Sequence, residues 1–440
     1  MTAPATARRT APRSAAPMRR DAVSVLTVYV VLLFAVPSAL VFKPVGSSGT
    51  PAGLLAGALF LWWLAGRLVP SLGASAGRQP LRIAASACLA AVLASDVVAY
   101  LRPIDGLEIH AAQSAIVLIV GGLGVVLLTA DGVSHIERLD VLLGRLTTAG
   151  AALASLGIVQ FFTRFDIAAH IHVPGLSLNE STDYIQLRDG FNRVAGTAAH
   201  PIEFGVVLAT VFPIAIHQAM YATPERRNRA RVRVALIAVA LPMSVSRSAM
   251  LGVLAAGLVM AAGWTWRRRA QAAVAAVAFV AGMRLVVPGL MGTIRNMFTG
   301  LQSDSSYVAR TQHASEAYAY IGQRPWFGRG FGTFLPSRYV LLDNQYLGLL
   351  VETGVVGLLA FVALFCTAFG VGHHVACVGA TEERRSLGWA LAAAAAVPLV
   401  TYITFDAFGF AMANGVTMLV VGCAGALWRI DGATAAATAP

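Results

Sequence analysis

Apolar runs long enough to cross a lipid bilayer follow one another along nearly the whole chain. Inside hydrocarbon, backbone N–H and C=O groups must bond within the membrane-crossing structure itself, so a chain built from such runs folds as a bundle of helices. Twelve runs are read, at about 22–42, 52–69, 83–100, 114–130, 141–162, 201–220, 232–245, 249–266, 271–290, 350–371, 387–404 and 411–428. Hydrophobic residues make up 57% of the 440 and charged residues only 12%, too few to coat a soluble surface of this size. The expected fold is an all-α membrane protein of about twelve transmembrane helices.

Orientation is read from arginine, because short cytoplasmic loops retain basic residues. Arg8, Arg9, Arg13, Arg19 and Arg20 precede the first run. Further clusters are Arg226, Arg227, Arg229, Arg231 and Arg233, then Arg267, Arg268 and Arg269, then Arg384 and Arg385. All fall on alternate connections, which places both termini in the cytoplasm. The chain is therefore read as a disordered basic tail at 1–21, one transmembrane domain at 22–428 and a cytoplasmic tail at 429–440. Two long outward loops are expected at about 163–200 and 291–349, the second partly helical. The net charge of +12 marks loops and forms no continuous basic face, which argues against a nucleic-acid partner. On this topology Cys88, Cys366, Cys377 and Cys423 lie in spans or on the cytoplasmic side, away from oxidising surroundings.

The outward connections carry unusual polar residues. Arg193 stands just before a span, and Arg247 stands between two spans with almost no loop, flanked by Ser244, Ser246 and Ser248. Each arginine either snorkels to lipid headgroups or meets an anion. Arginine, hydroxyls and a helix N-terminus together suit a phosphate or diphosphate. His200 and Glu203 open the sixth span, where Glu203 serves either as a cap or in function. In the second loop Arg310 and His313 share one face of a helical stretch. The glycines of GRGFGTF lack the lysine of a nucleotide-binding loop and read as a tight turn. Asp343 either caps the tenth span or serves as an acid–base group. Asn344, Gln345 and Tyr346 beside it form a hydrogen-bonding surface suited to polyols, and Glu352 is an ionisable group two turns further in. His170 and His172 lack companion ligands, so no metal site and no cofactor are expected.

Taken in order, RVAGTAAHPIEFGVVLA, SVSRSAMLGVL, ARTQHASEAYAYIGQRPWFGRGFGTF and DNQYLGLLVETGVVGLL resemble the O-antigen ligase and polymerase family of membrane glycosyltransferases, over about Arg193 to Leu359. The resemblance implies an enzyme of a bacterial cytoplasmic membrane with its site facing outward. It implies a polyprenyl-diphosphate-linked glycan as donor and a glycan or glycolipid as acceptor, with membrane lipids around both. It assigns the diphosphate to Arg193, Arg247 and Arg310. Family ligases commonly carry a histidine where this chain has Asp343, and ligase and polymerase stay undistinguished. The chemistry of the residues agrees. Outside the cell the donor must arrive already activated, and fixed arginines stabilise its leaving group without a metal. A carboxylate such as Asp343 takes the acceptor's proton, and a single displacement inverts the anomeric centre. A transporter or flippase of lipid-linked glycans is the alternative reading. The two are told apart by whether Arg193, Arg247 and Asp343 converge on one outward cavity that opens laterally to lipid.

Overall fold

The structure, a computed structural model, describes residues 21–69, 77–179, 185–188, 190–299 and 305–438. It contains fourteen α-helices: α1 (Ala22–Ala35), α2 (Pro51–Leu68), α3 (Pro80–Ala99), α4 (Gly106–Gly132), α5 (Ile136–Thr163), α6 (Pro201–Tyr221), α7 (Pro224–Met243), α8 (Arg247–Ala262), α9 (Trp266–Val286), α10 (Leu290–Thr299), α11 (Ser305–Gln323), α12 (Gln345–Val378), α13 (Glu382–Thr401) and α14 (Ala411–Thr438). Each of the twelve expected runs falls on one of these. Among the described residues eight helices are long and apolar enough to cross a membrane: α2, α3, α4, α5, α6, α9, α12 and α14. The protein is thus an all-α, multi-pass membrane protein. α1 and α8 are apolar but shorter. α7 and α13 begin with charged turns, Arg226 to Arg233 and Glu382 to Arg385, which dilute their apolar character.

Several boundaries differ from the sequence reading for local reasons. The first run was expected to reach residue 42, but α1 ends at Ala35, because Val36 is extended ahead of Pro37. The tenth run was expected from residue 350, but α12 starts at Gln345, so half of the polar quartet lies in its first turn. The tail expected from 429 is helical, since α14 runs through Thr438. The second long connection holds two helices, α10 and α11. The first holds β structure: β2 (Ser177–Leu178) pairs antiparallel with β1 (Leu40–Val41), which lies between α1 and α2, and β3 (Ile185–Arg188) pairs with β4 (Phe191–Val194). The expected tail at 1–21 lies outside the described residues except for Asp21, whose carboxylate caps α1 at Ser24 N–H, 3.0 Å away.

The core is one contiguous apolar cluster centred on α6, α13 and α14, whose faces are buried almost all round. α9 is the opposite: nearly all of its surface is uncovered by protein, and it is joined to the rest through α10. The connections divide into two sets. The short connections at 222–223, 263–265 and 379–381, beside the arginine clusters, lie at one end, and those that include 36–50, 190–200, 324–344 and 402–410 lie at the other, tied by hydrogen bonds, for example Ser38 N–H to the Thr197 carbonyl (2.9 Å) and Gln345 N–H to the Tyr402 carbonyl (2.8 Å).

Candidate active site

At the long-loop end the N-termini of α6, α8, α12 and α14 are each capped by a side chain that the sequence had marked as a candidate; α2 and α4 also begin at this end, capped by Thr50 and Asp105. His200 Nδ1 accepts from Ile202 N–H at 3.1 Å at the start of α6, with Pro201 in the first helical position. Ser246 Oγ accepts from Ala249 N–H at 3.4 Å at the start of α8. Asn344 Oδ1 accepts from Tyr346 N–H (3.0 Å) and Leu347 N–H (3.1 Å) at the start of α12. The fourth cap comes from far away in sequence. Glu203 Oε1 accepts from Met412 N–H (2.6 Å) and Ala413 N–H (3.1 Å) at the start of α14, while its Oε2 accepts from Ser38 Oγ (2.8 Å) and Ala199 N–H (2.7 Å). Four donors occupy this fully buried carboxylate, so Glu203 is a structural tie, capping a neighbouring helix.

The consequence for Asp343 is direct. Asn344 caps α12, so the capping explanation does not apply to Asp343. Asp343 is half-buried just outside the helix, within electrostatic reach of His200. Arg193, on β4, reaches the same histidine and donates from Nε to the Ser244 carbonyl at 3.3 Å. His200 is pushed down to about 4, first by burial and then by Arg193, with Asp343 opposing. It is therefore neutral at neutral pH, as an accepting Nδ1 requires.

Arg247 is the first residue of α8, after a turn of three residues from α7. Within that turn Val245 is fully buried at φ 44°. A β-branched residue in the left-handed region is strained by roughly 1–3 kcal/mol, and such strain gathers at functional sites. The turn makes the approach of α7 and α8 abrupt and leaves Arg247 half-buried at the rim. Ser248 Oγ pairs with Thr404 Oγ1 at 2.7 Å, joining α8 to the 402–410 connection.

That connection holds a residue the sequence reading missed. Asp406 lies in TFDAFGF between α13 and α14, and Asp343 exerts a like-charge effect on it. Asp406 is pushed up to about 6, mainly by burial and further by Asp343, while the N–H groups of Phe408 and Gly409 hold it down. Its signal was present but faint: a lone acid in a short connection between two apolar runs. Gln345 straps the connection in place, with its N–H on the Tyr402 carbonyl (2.8 Å) and its Oε1 accepting from Phe408 N–H (2.9 Å).

The other candidates take up mainly structural positions. Tyr346 Oη donates to the Leu399 carbonyl at 2.7 Å, tying α12 to α13. Glu352 Oε1 accepts from Phe334 N–H at 3.1 Å and so holds the glycine-rich turn. α12 breaks just beyond, at Gly354 (φ 64°), and the freed N–H groups of Val355 and Val356 bond the carbonyls of Pro325 (2.8 Å) and Trp326 (3.2 Å). A Cβ on Gly354 would collide with the Trp326 carbonyl, and one on Gly328 with that of Glu352. His313 Nδ1 lies 3.0 Å from the Leu341 carbonyl, two residues before Asp343. The Arg310 side chain lies outside the described residues. Arg193, Arg247, His200, Asp343 and Asp406 thus gather at one end, whereas Glu203, Asn344, Gln345 and Glu352 spend their polar atoms on backbone.

Residues 233–362 match the family model described as O-antigen ligase. This stretch belongs with the O-antigen ligase family. It runs from within α7 to the middle of α12, and so takes in the strained turn, Arg247, α11 and the Asp343 segment. Arg193 and His200 lie before the O-antigen ligase stretch and Asp406 after it, and the fold brings all three to it. No curated protein matches the chain. A membrane protein of glycan processing and polysaccharide biosynthesis is the function these findings give.

Proposed function

We propose that this protein is a glycosyltransferase that moves a glycan from a polyprenyl-diphosphate carrier to an acceptor hydroxyl on the outer face of a bacterial cytoplasmic membrane. The observation that carries the reading is that the N-termini of α6, α8 and α12 lie with Arg193 and Arg247 at the long-loop end. The N-termini of α6, α8 and α12 each carry roughly half a positive charge, and arginine adds bidentate donors, a combination suited to diphosphate. The arginine clusters at the opposite end favour twelve crossings with both termini inside, which turns the site outward.

In this reading the acceptor oxygen attacks the anomeric carbon as the bond from that carbon to the diphosphate oxygen breaks. Asp343 receives the hydroxyl proton, with Asp406 as a second carboxylate beside it. The departing diphosphate gains negative charge, which Arg193 and Arg247 neutralise, so no metal is needed for that step. One displacement inverts the anomeric centre. The alternative of a transporter draws on the break in α12, since broken helices line transport sites. Here the freed N–H groups at the break are filled by Pro325 and Trp326 carbonyls, which favours the enzyme.

The test is reconstitution of the full chain in nanodiscs with a polyprenyl-diphosphate glycan and a glycan acceptor. Transfer that persists in EDTA is expected. Movement of the lipid-linked glycan across a bilayer with no new glycosidic bond would overturn the reading.

A further inference from the structure

Away from the carboxylate pair, the outer ends of α3 and α4 meet the second long connection through a closed ring of polar contacts. Arg102 Nε donates to the Arg329 carbonyl (3.1 Å), and Arg102 Nη1 donates to Glu108 Oε2 (2.7 Å). Glu108 Oε1 accepts from Tyr339 Oη (2.6 Å), which in turn accepts from Arg329 Nη2 (2.5 Å). The ring therefore closes on Arg329, through both its side chain and its carbonyl. Arg329 also lies over two aromatic faces, with its guanidinium 5.0 Å from the Tyr320 ring centre and 4.5 Å from that of Tyr339. Tyr320 belongs to α11, so one side chain binds three separate segments.

The ring is nearly dry. Glu108 is 3% exposed, and the side chains of Arg102 and Arg329 are 11% and 13% exposed. In such surroundings a hydrogen-bonded network is rigid when complete and costly when one member is removed. Burial and the bond to Glu108 push the Tyr339 hydroxyl up from its ordinary value, so it stays a donor throughout the neutral range.

The residues after Tyr339 give the ring a purpose. Asp343 is four residues on, and the stretch between is fixed at both ends. Leu342 packs with Ala317, Phe334, Leu347 and Val351 in a small core of its own, and His313 of α11 bonds the Leu341 carbonyl. The capped start of α12 holds the far end. Of the arginines read as donor-binding, Arg193 stands on β4 and Arg247 on α8, which the ring does not touch, while Arg310 stands on α11, which the ring meets at Tyr320. We propose that Tyr339, Glu108 and Arg329 are positioning residues that clamp the segment delivering Asp343, so that the clamp governs the transfer step and leaves untouched the donor binding by Arg193 and Arg247. This rests on the reading of Asp343 as the base.

Tyr339→Phe removes one hydroxyl from the ring and keeps the stacked aromatic ring. A displacement of about 1 Å at a reacting group costs on the order of 10²-fold. In the full chain in nanodiscs, Tyr339→Phe is expected to lower kcat by about 10- to 100-fold with the donor KM within about twofold of wild type. Amide hydrogen exchange at 340–343 is expected to quicken. Arg329→Lys, which keeps the charge and loses the planar fork, should reproduce the loss. Unchanged exchange at 340–343 would overturn the clamp, as would a donor KM that rises while kcat holds. Faster exchange with kcat intact would also overturn the proposal. A silent Asp343→Asn would then place the fault in the base reading, and a slow one would place it in the clamp.

Discussion

Asp343→Asn separates a chemical role from a structural one more cleanly than any other single change. Asparagine matches aspartate in size, and Asn344 already caps α12 through two backbone N–H groups, so the helix start is untouched. Removing general-base assistance typically costs 10²–10⁴-fold, or about 3–5 kcal/mol of barrier at 1.36 kcal/mol per tenfold. Stability tells the same story from the other side. Asn344→Ala should cost about 1 kcal/mol as a lost cap, while Asp343→Ala should stay within about 0.5 kcal/mol. The pH profile adds a sign. Asp406 sits near 6, held up partly by the charge of Asp343. Below that value it keeps its proton and above it ionises, so wild-type transfer should rise as pH passes upward through about 6. Asp343→Asn deletes the like charge, so Asp406 should ionise at lower pH and any residual activity should rise earlier. Turnover with a lipid-linked glycan in nanodiscs, from about pH 4 to 8, reads all of this alongside thermal unfolding. An Asp343→Asn protein with wild-type kcat at every pH would refute the reasoning.

Arg247→Lys should raise the donor KM and slow transfer at unchanged folding, and Arg247→Ala should do worse, since bidentate charge-assisted bonds are worth about 1.5–3 kcal/mol; initial rates against donor concentration check it. Gly354→Ala should destabilise by more than about 2 kcal/mol, because a side chain there meets both a left-handed backbone and the Trp326 carbonyl; thermal unfolding in detergent is the measure. In a cysteine-free background, a cysteine at His172 or Tyr318 should react with an impermeant thiol reagent in intact cells, and one at His374 should react only after lysis.

The helices were legible in the sequence because span length and apolar content are properties of contiguous residues, and the arginine-marked turns likewise needed only local reading. Arg193, Arg247 and Asp343 stood out because ionisable groups at the edge of hydrocarbon are costly. Their partners were not legible. Adjacent Asp343 and Asn344 are equally good caps by composition, and only the backbone at Asn344 decides between them. Glu203 read either as a cap for its own helix or as a functional group, yet besides Ser38 and Ala199 it takes Met412 N–H and Ala413 N–H, more than two hundred residues on. Gln345 and Tyr346 read as a polyol surface, but each is spent on the backbone of α13 or the connection after it. Asp406 gave almost no local signal, and its meaning comes from the fold that sets it beside Asp343. The ring through Glu108 was invisible for the same reason, since Arg102 and Glu108, at the junction of α3 and α4, lie more than two hundred positions from Arg329 and Tyr339.

In the proposed reaction, the helix N-termini and arginines at one end also bear on what would happen after the bond is made. A lipid-linked glycan presents a diphosphate whose terminal oxygen is covered by sugar; once the sugar leaves, the spent carrier exposes that oxygen with additional negative charge. A surface that is positive enough to draw charge onto the leaving group therefore grips the spent carrier more firmly than the fresh donor that must replace it. Turnover would then be limited by departure of the spent carrier, with competitive inhibition by free polyprenyl diphosphate. Steady flux would depend on whatever phosphatase strips the carrier to its monophosphate on the same leaflet.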